Sequence, residues 1–370
     1  MTATVLQHIR IKRADLLIAG AVLGGLLLTW LVLTGLDAFI QFAGQIGDIG
    51  RNGYTLGNAV VYILLTVPRR AYQWFVFAAL IGSLVGLGGL AASGELTALR
   101  AAGMSKLRIS LSVVGLVALL MAGVFAMGET AAPAGEQRAQ ALQLQRNGGQ
   151  LQAPEGSGRW ARDGDDIINA KAALVHVVHG RPEVELADVR IFGFNDAHEL
   201  TSFRRARLAT REGKSWVLHD VRDTRVSPQG AVSTTRKRQA WDTSLDPAVL
   251  EASVIHPEYL SLRDLSVNIA YLRANRQNAG VYLNAWWARI FYPIDTLLLV
   301  LCALPFGFGA LRSGGLGKRL FLGVIVAIAW YFLERAVVST GTVFGASALV
   351  VNLIPPLVLL AIAIAYYRRA

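Results

Sequence analysis

His176 and His179 form an H-x-x-H pair, a spacing that can hold a metal ion when both rings share one face. They lie in an alternating stretch, where positions three apart point to opposite sides unless a bulge intervenes. No Cys or Glu in that run completes a ligand set, so zinc is not expected. Asp163, Asp165 and Asp166 crowd around Gly164 like a fragment of a calcium loop, but a plain hairpin turn accounts for them more simply. A phosphate-cradling loop needs G-x-x-x-x-G-K-[ST]. The nearest approach ends in Gly317-Lys318, with Arg312 at the first required glycine and Arg319 at the Ser/Thr, so the chain is not expected to hydrolyse ATP. Asp37, Asp48, Asp295 and Glu334 supply acids for an intramembrane lipid-modifying enzyme, but lack the paired spacing of a catalytic dyad. The basic run 236–238 reads as a solvated strand or turn.

Composition explains why catalytic motifs are scarce. The 370 residues are 54% hydrophobic, with a mean hydropathy of +0.44, too apolar for an ordinary soluble protein. There are 36 Lys and Arg against 25 Asp and Glu, a net charge of +11. Much of that excess flanks apolar spans or lies in the middle of the chain. It fits orientation by positive charge and contact with anionic lipid, and no nucleic-acid partner is expected. Cys302, the sole cysteine, lies in an apolar run, so no intrachain disulfide forms. The first apolar segment lacks a convincing cleavage site and is expected to stay as an anchor.

The elements that must position any function are membrane helices. Spans are expected over about 15–36, 71–92, 109–128, 282–308, 320–338 and 346–367, each near the ~20 residues a bilayer requires. Residues 56–67 are also apolar, and Pro68 predicts a bent helix there. Arg10, Lys12 and Arg13, then Arg100, Lys106 and Arg108, then Arg312, Lys318 and Arg319, and finally Arg368 and Arg369 all fall on one side of six spans. The positive-inside rule makes that side cytoplasmic. The organisation is therefore 1–130 with spans one to three, 131–279 as a β domain outside, and 280–370 with spans four to six. Within 131–279, residues 134–146 could extend the third helix. Seven short alternating segments separated by turn signals then read as a sandwich, jelly roll or open barrel. Residues 257–275 look helical.

Between the second and third spans lies a charged island, 94–107 (GELTALRAAGMSKL). Ser93 or Gly94 could cap a helix there, Glu95 suits its first turn, and Gly103 can end it. Leu96, Leu99 and Ala102 give it an apolar side. The spacing fits either a plain inter-helix loop or a short amphipathic helix on which a soluble partner docks. Charges in or beside spans are costly to bury. Arg289 and Asp295, about one and a half turns apart, and Glu334 with Arg335 are candidates for interhelical pairing, for snorkelling, or for the polar wall of a lipid cavity.

A series of fragments resembles one family. They are 62–70 (YILLTVPRR), 78–91 (AALIGSLVGLGGLA), Glu95-Leu96 with Arg100 and Gly103, and Gly128-Glu129 with Ala132-Pro133 and Glu136-Gln137. Residues 160–164 (WARDG), 288–293 (ARIFYP) and 310–313 (ALRS) follow in order. Together they resemble the YjgP/YjgQ permeases of Gram-negative bacteria, the LptF/LptG subunits of the lipopolysaccharide export transporter. The 160–164 match favours the LptG branch.

The resemblance implies an α-helical inner-membrane protein with six transmembrane helices and an inserted periplasmic β-jellyroll. It implies pairing with the related permease LptF and energy from a cytoplasmic ATPase dimer, LptB, with no cofactor on this chain. The lipid would be handed to periplasmic LptC and the bridge protein LptA. By the same resemblance, 94–103 is the coupling helix, with Glu95, Leu96, Leu99, Arg100 and Gly103 engaging the ATPase, and helices one and five are lateral gates. Lipopolysaccharide needs an apolar cavity rimmed by cations. Arg51, Arg69, Arg70 and Arg138 are the rim candidates, and Phe39, Phe42, Leu301 and Phe306 the apolar lining. Some relatives carry lysines at the outer end of the first helix. Residues 37–48 here have none, which removes support for a phosphate contact at that point. Without a transport role, the chain would read as a membrane-anchored periplasmic scaffold.

Overall fold

The computed structural model describes residues 13–50, 54–146, 159–178, 181–195, 199–212, 215–227, 230–243, 257–275, 277–308 and 316–369. Its described residues include six helices long and apolar enough to cross a membrane. In order, α1 is Arg13–Gln45, α2 Leu56–Ala92, α3 Glu95–Ala101, α4 Lys106–Glu129 and α5 Ala131–Arg146. After the strands come α6 Leu262–Ala274, α7 Gly280–Ala303, α8 Leu316–Val343 and α9 Ala348–Arg369. The chain forms two compact units, one of 1–41, 67–133 and 280–370, the other of 42–66 and 134–279.

The first unit is the helical bundle. Ile18, Val22 and Leu26 of α1 recur at helical spacing and bury against Phe75, Leu80, Leu84 and Leu87 of α2 and Val113, Val117 and Met121 of α4. Glycine sets the closeness of α1 and α2. A Cβ at Gly25 would lie 2.6 Å from the Gly82 carbonyl oxygen, and one at Gly86 would lie 2.5 Å from the Val22 Cα. Gly82 and Gly86 are a G-x-x-x-G pair, the arrangement that lets membrane helices meet backbone to backbone. α9 packs along α7, tied by Cys302 Sγ donating to the Leu359 carbonyl at 3.3 Å and Tyr367 OH to the Leu301 carbonyl at 3.2 Å.

Pro68 lies inside one helix of 37 residues that joins the apolar segments on either side of it. At 1.5 Å per residue α2 is about 55 Å long, well beyond a ~30 Å hydrocarbon core. Residues 131–146 carry the third span's path onward as α5, past a turn at Thr130 with φ −118° and ψ −73°.

In the second unit the strands are β1 Arg159–Asp163, β2 Asp166–Val178, β3 Arg181–Phe194, β4 Leu200–Glu212, β5 Ser215–Ser227 and β6 Gly230–Trp241. They form one antiparallel sheet in sequential order. Six strands replace the expected seven, since the second and third segments are one 13-residue strand. Lys171 interrupts the apolar pattern there, but no turn-forming residue accompanies it. Gly164, at φ +60°, makes the tight β1–β2 turn that the Asp163–Asp166 cluster suggested.

A crease crosses this sheet. Asp188 on β3 and Asp220 on β5 have positive φ, 48° and 53°, a conformation that short polar side chains tolerate. Alternation resets there. Leu186 and Val189 are both buried, as are Ala206 with Ala209 and Leu218 with Val221, although each pair is three residues apart. These residues, closed at one end by Trp216 and Trp241, make the apolar side of the β domain.

Candidate functional site

Helix α3 has seven residues, too few to be stable alone, so its flanks hold it. Gly94 enters at φ +81° as N-cap, with no side-chain capping bond. At the far end the Gly103 amide donates to the Arg100 carbonyl at 3.0 Å and the Met104 amide to the Leu99 carbonyl at 3.2 Å. With Gly103 at φ +91° this is a Schellman ending, which stops the helix where the sequence indicated. Ser105 then caps α4, its Oγ accepting from the Arg108 amide at 3.2 Å.

The face of α3 is divided. Leu96 is buried in the bundle core and Leu99 packs against it, while Glu95, Thr97, Ala98, Arg100 and Gly103 are exposed. Leu96 and Leu99, grouped with the docking residues from sequence, therefore anchor the helix to its own chain. Glu95 and Arg100 remain as the charged groups a partner would meet. Beneath this helix end, Arg108 reaches Asp15 of α1 at 2.7 Å, and Ser112 Oγ donates to the same carboxylate at 2.5 Å.

Deeper charges are paired across helices. Arg70 of α2 is almost fully buried and meets Asp37 of α1 at 2.6 Å. That geometry turns a rim candidate into a helix-to-helix tie and engages an acid weighed for catalysis. Arg289 of α7 donates to Glu129 and to the Gly128 carbonyl at the end of α4. Its guanidinium also lies 5.1 Å from the centre of the Tyr72 ring, a cation–π arrangement. Tyr292 OH donates to the Tyr72 carbonyl at 2.6 Å. Five residues from three helices thus close one polar node. Sequence reading identified Arg289 but not Glu129 as its partner, although Glu129 stood in a family-like fragment.

Asp295, one turn beyond, is buried, and its Oδ1 has no hydrogen-bond partner among the described residues. Glu334 of α8 acts on it electrostatically, so the two acids are brought together across helices, which spacing alone did not foresee. Arg335 sits over the Tyr331 ring at 5.2 Å. Among the described residues no group of three or more His, Cys, Asp or Glu could hold a metal.

The remaining lipid candidates are dispersed. Arg69 is half-buried and donates to Gln73 at 3.1 Å. Phe39 projects outward at 68% exposure, Phe306 is partly exposed and Leu301 half-buried. In the other unit Arg138 is exposed and Phe42 half-buried. Arg51 lies outside the described residues, as does His179.

The sequence that forms these spans and the sheet between them resembles known proteins. The family model described as lipopolysaccharide export system permease LptF/LptG matches residues 17–369. The chain is 30% identical over 354 residues to the lipopolysaccharide export system permease protein LptG of Haemophilus influenzae, covering 94% of this chain and 96% of that one. It is 31% identical over 334 residues to the protein of the same name from Escherichia coli K12, covering 89% and 91%. A match that runs through both membrane halves and the sheet between them makes this chain a member of the LptF/LptG family of lipopolysaccharide export permeases.

Proposed function

We propose that this chain is the LptG-type permease subunit of an exporter that lifts lipopolysaccharide from the inner membrane and passes it toward the outer membrane. LptF is its membrane partner, an LptB dimer supplies ATP hydrolysis, and LptC and LptA receive the lipid in the periplasm, where the β domain lies. The observation that carries the reading is α3, a short helix rooted by Leu96 and Leu99 that offers Glu95 and Arg100 outward. Closure of the ATPase would move α3, and its anchors would transmit that displacement to the bundle core rather than let it dissipate in a loop.

Spans one and five suit a lateral gate and partner contact. Only 17% of the apolar stretch of the first and 6% of the fifth is buried within the chain, against 61% of the second. Lipid squeezed from the space between permeases would move onto the apolar side of the creased sheet, whose lining of Leu186, Val189, Ile191 and Leu218 suits acyl chains.

The test is a mild-detergent pull-down of the tagged chain and of Glu95→Lys, with bound proteins identified by mass spectrometry. Wild type should recover a soluble ATPase and a second six-span permease. The variant should keep the permease and lose the ATPase by about tenfold or more, equivalent to at least ~1.4 kcal/mol. Recovery of the wild type alone would remove the energy source and overturn the reading.

A further inference from the structure

The side of the β sheet turned away from its apolar core has a composition that sheet stability does not explain. Arg190, Arg205 and Arg222 are direct cross-strand partners on β3, β4 and β5. Like charges directly opposite one another destabilise a sheet. Asp188 offsets part of this by accepting from Arg190 at 2.9 Å and Arg205 at 2.8 Å. Among the described residues Arg222 makes no ion pair. Neighbouring strands lie about 4.8 Å apart, so the three positions span about 10 Å.

The next row on the same face is aromatic. Phe192 and Phe203 are cross-strand partners with ring centres 5.0 Å apart. Trp160 of β1 stacks on Phe192 at 6.1 Å, with 21° between the planes, yet remains 62% exposed. The Arg205 side chain is likewise 56% exposed. Trp and Arg are the residue types that dominate binding surfaces, and here they share one face.

Their combination narrows the ligand. Guanidinium forks match phosphate oxygens, and fixing Arg190 and Arg205 on Asp188 reduces the ordering cost of binding. Flat rings beside them suit the faces of sugar rings. A glycolipid headgroup is also too polar for the apolar side of the sheet, so its sugars need a different surface from its acyl chains. We propose that this outer face binds the phosphorylated saccharide of an anionic glycolipid, with Arg190, Arg205 and Arg222 on phosphate and Trp160, Phe192 and Phe203 against sugar rings. The assignment rests on the export reading for the identity of the glycolipid.

The experiment uses the full chain in phosphatidylcholine nanodiscs and titrates it with completely deacylated lipopolysaccharide oligosaccharide, before and after phosphatase treatment. Wild type should prefer the phosphorylated probe by about tenfold or more. Arg222→Gln, at an exposed site with no ion pair among the described residues, should reduce that preference by about threefold or more. Trp160→Ala should weaken both probes. Equal binding by wild type and Arg222→Gln, or no effect of phosphate removal, overturns the proposal. Competition by an equal concentration of inorganic phosphate overturns the sugar assignment, and a photo-cross-link from position 160 that captures a protein replaces the ligand class. Export itself is judged separately, by ATPase recovery with wild type and Glu95→Lys. A failed titration beside an intact pull-down sinks only this inference.

Discussion

Both units of the molecule are rich in arginine, but they treat it in opposite ways. In the helical bundle Arg70 and Arg289 are each within a few per cent of complete burial and each meets a carboxylate on another helix. In the sheet Arg205 and Arg207 are more than half exposed, and their Asp188 and Asp220 partners compensate only part of the local charge. The difference follows from the surroundings. An unmatched charge inside a membrane protein costs several kcal/mol, whereas water screens one on a sheet surface. Charge in the bundle therefore fixes helix positions, and charge on the sheet remains available for binding.

Breaking the bundle side of that comparison should give the largest effect. Arg289→Met leaves Glu129 partly buried without its main cation, a class of change that costs about 3–5 kcal/mol. It should lower the thermal midpoint of the detergent-solubilised chain markedly. Combining it with Glu129→Gln should restore much of the loss, because both charges are then gone. Arg207→Ala in the sheet should cost less than about 1 kcal/mol. A similar loss from both single variants would mean that the bundle charges are not what holds its helices.

Steric contacts repeat the contrast on a smaller scale. A Cβ at Gly82 or Gly86 would run into the backbone of α1, which cannot yield without moving the helix. A Cβ at Gly193 of β3 would meet side-chain ends only, the hydroxyl of Ser202, which can rotate away, and the Asp166 carboxylate at 3.0 Å. Gly86→Ala should therefore destabilise by about 1–3 kcal/mol, and Gly193→Ala by less than Gly86→Ala. The thermal midpoint of Gly82→Ala in detergent should fall in the same way. An unchanged midpoint for Gly82→Ala would show that the helices do not meet there.

What could be read from the sequence follows the same division between local and distant causes. The six spans were legible because apolar length is a local property, and Gly103 marked the end of α3 because a Schellman ending needs little besides glycine. The Gly82/Gly86 pair was equally visible as a five-residue pattern, and its G-x-x-x-G spacing was the signal that could have found it. The Arg289–Glu129 node was not legible, because its partners are 160 residues apart and either charge could have faced lipid or a cavity. Nor could spacing decide whether Leu96 and Leu99 face a partner or their own bundle, since an apolar stripe serves both. In the sheet, arginines appeared as scattered singles. Only the register of three strands turns Arg190, Arg205 and Arg222 into a row.

The smallest expected effect separates the structural from the binding use of charge on that row. The hydrogen bond from Arg205 holds the Asp188 carboxyl below its ordinary range, opposed by burial and assisted by the hydrogen bond and charge of Arg190. A carboxyl whose folded pKa is depressed contributes stability that is full above its unfolded value, ~3.9, and is lost as pH falls through the folded value. Asp188→Asn keeps a side chain that tolerates positive φ and removes only the charge. Hydrogen-exchange protection of β3 and β4 amides in the full chain, corrected for intrinsic rates, should therefore differ between wild type and variant at pH 7. The gap should be below about 1 kcal/mol, since solvent screens so exposed a pair. It should narrow below about pH 4 and close at lower pH. A gap that persists unchanged at low pH would assign the effect to the backbone crease at position 188 instead of to its charge, leaving the arginine row uncompensated.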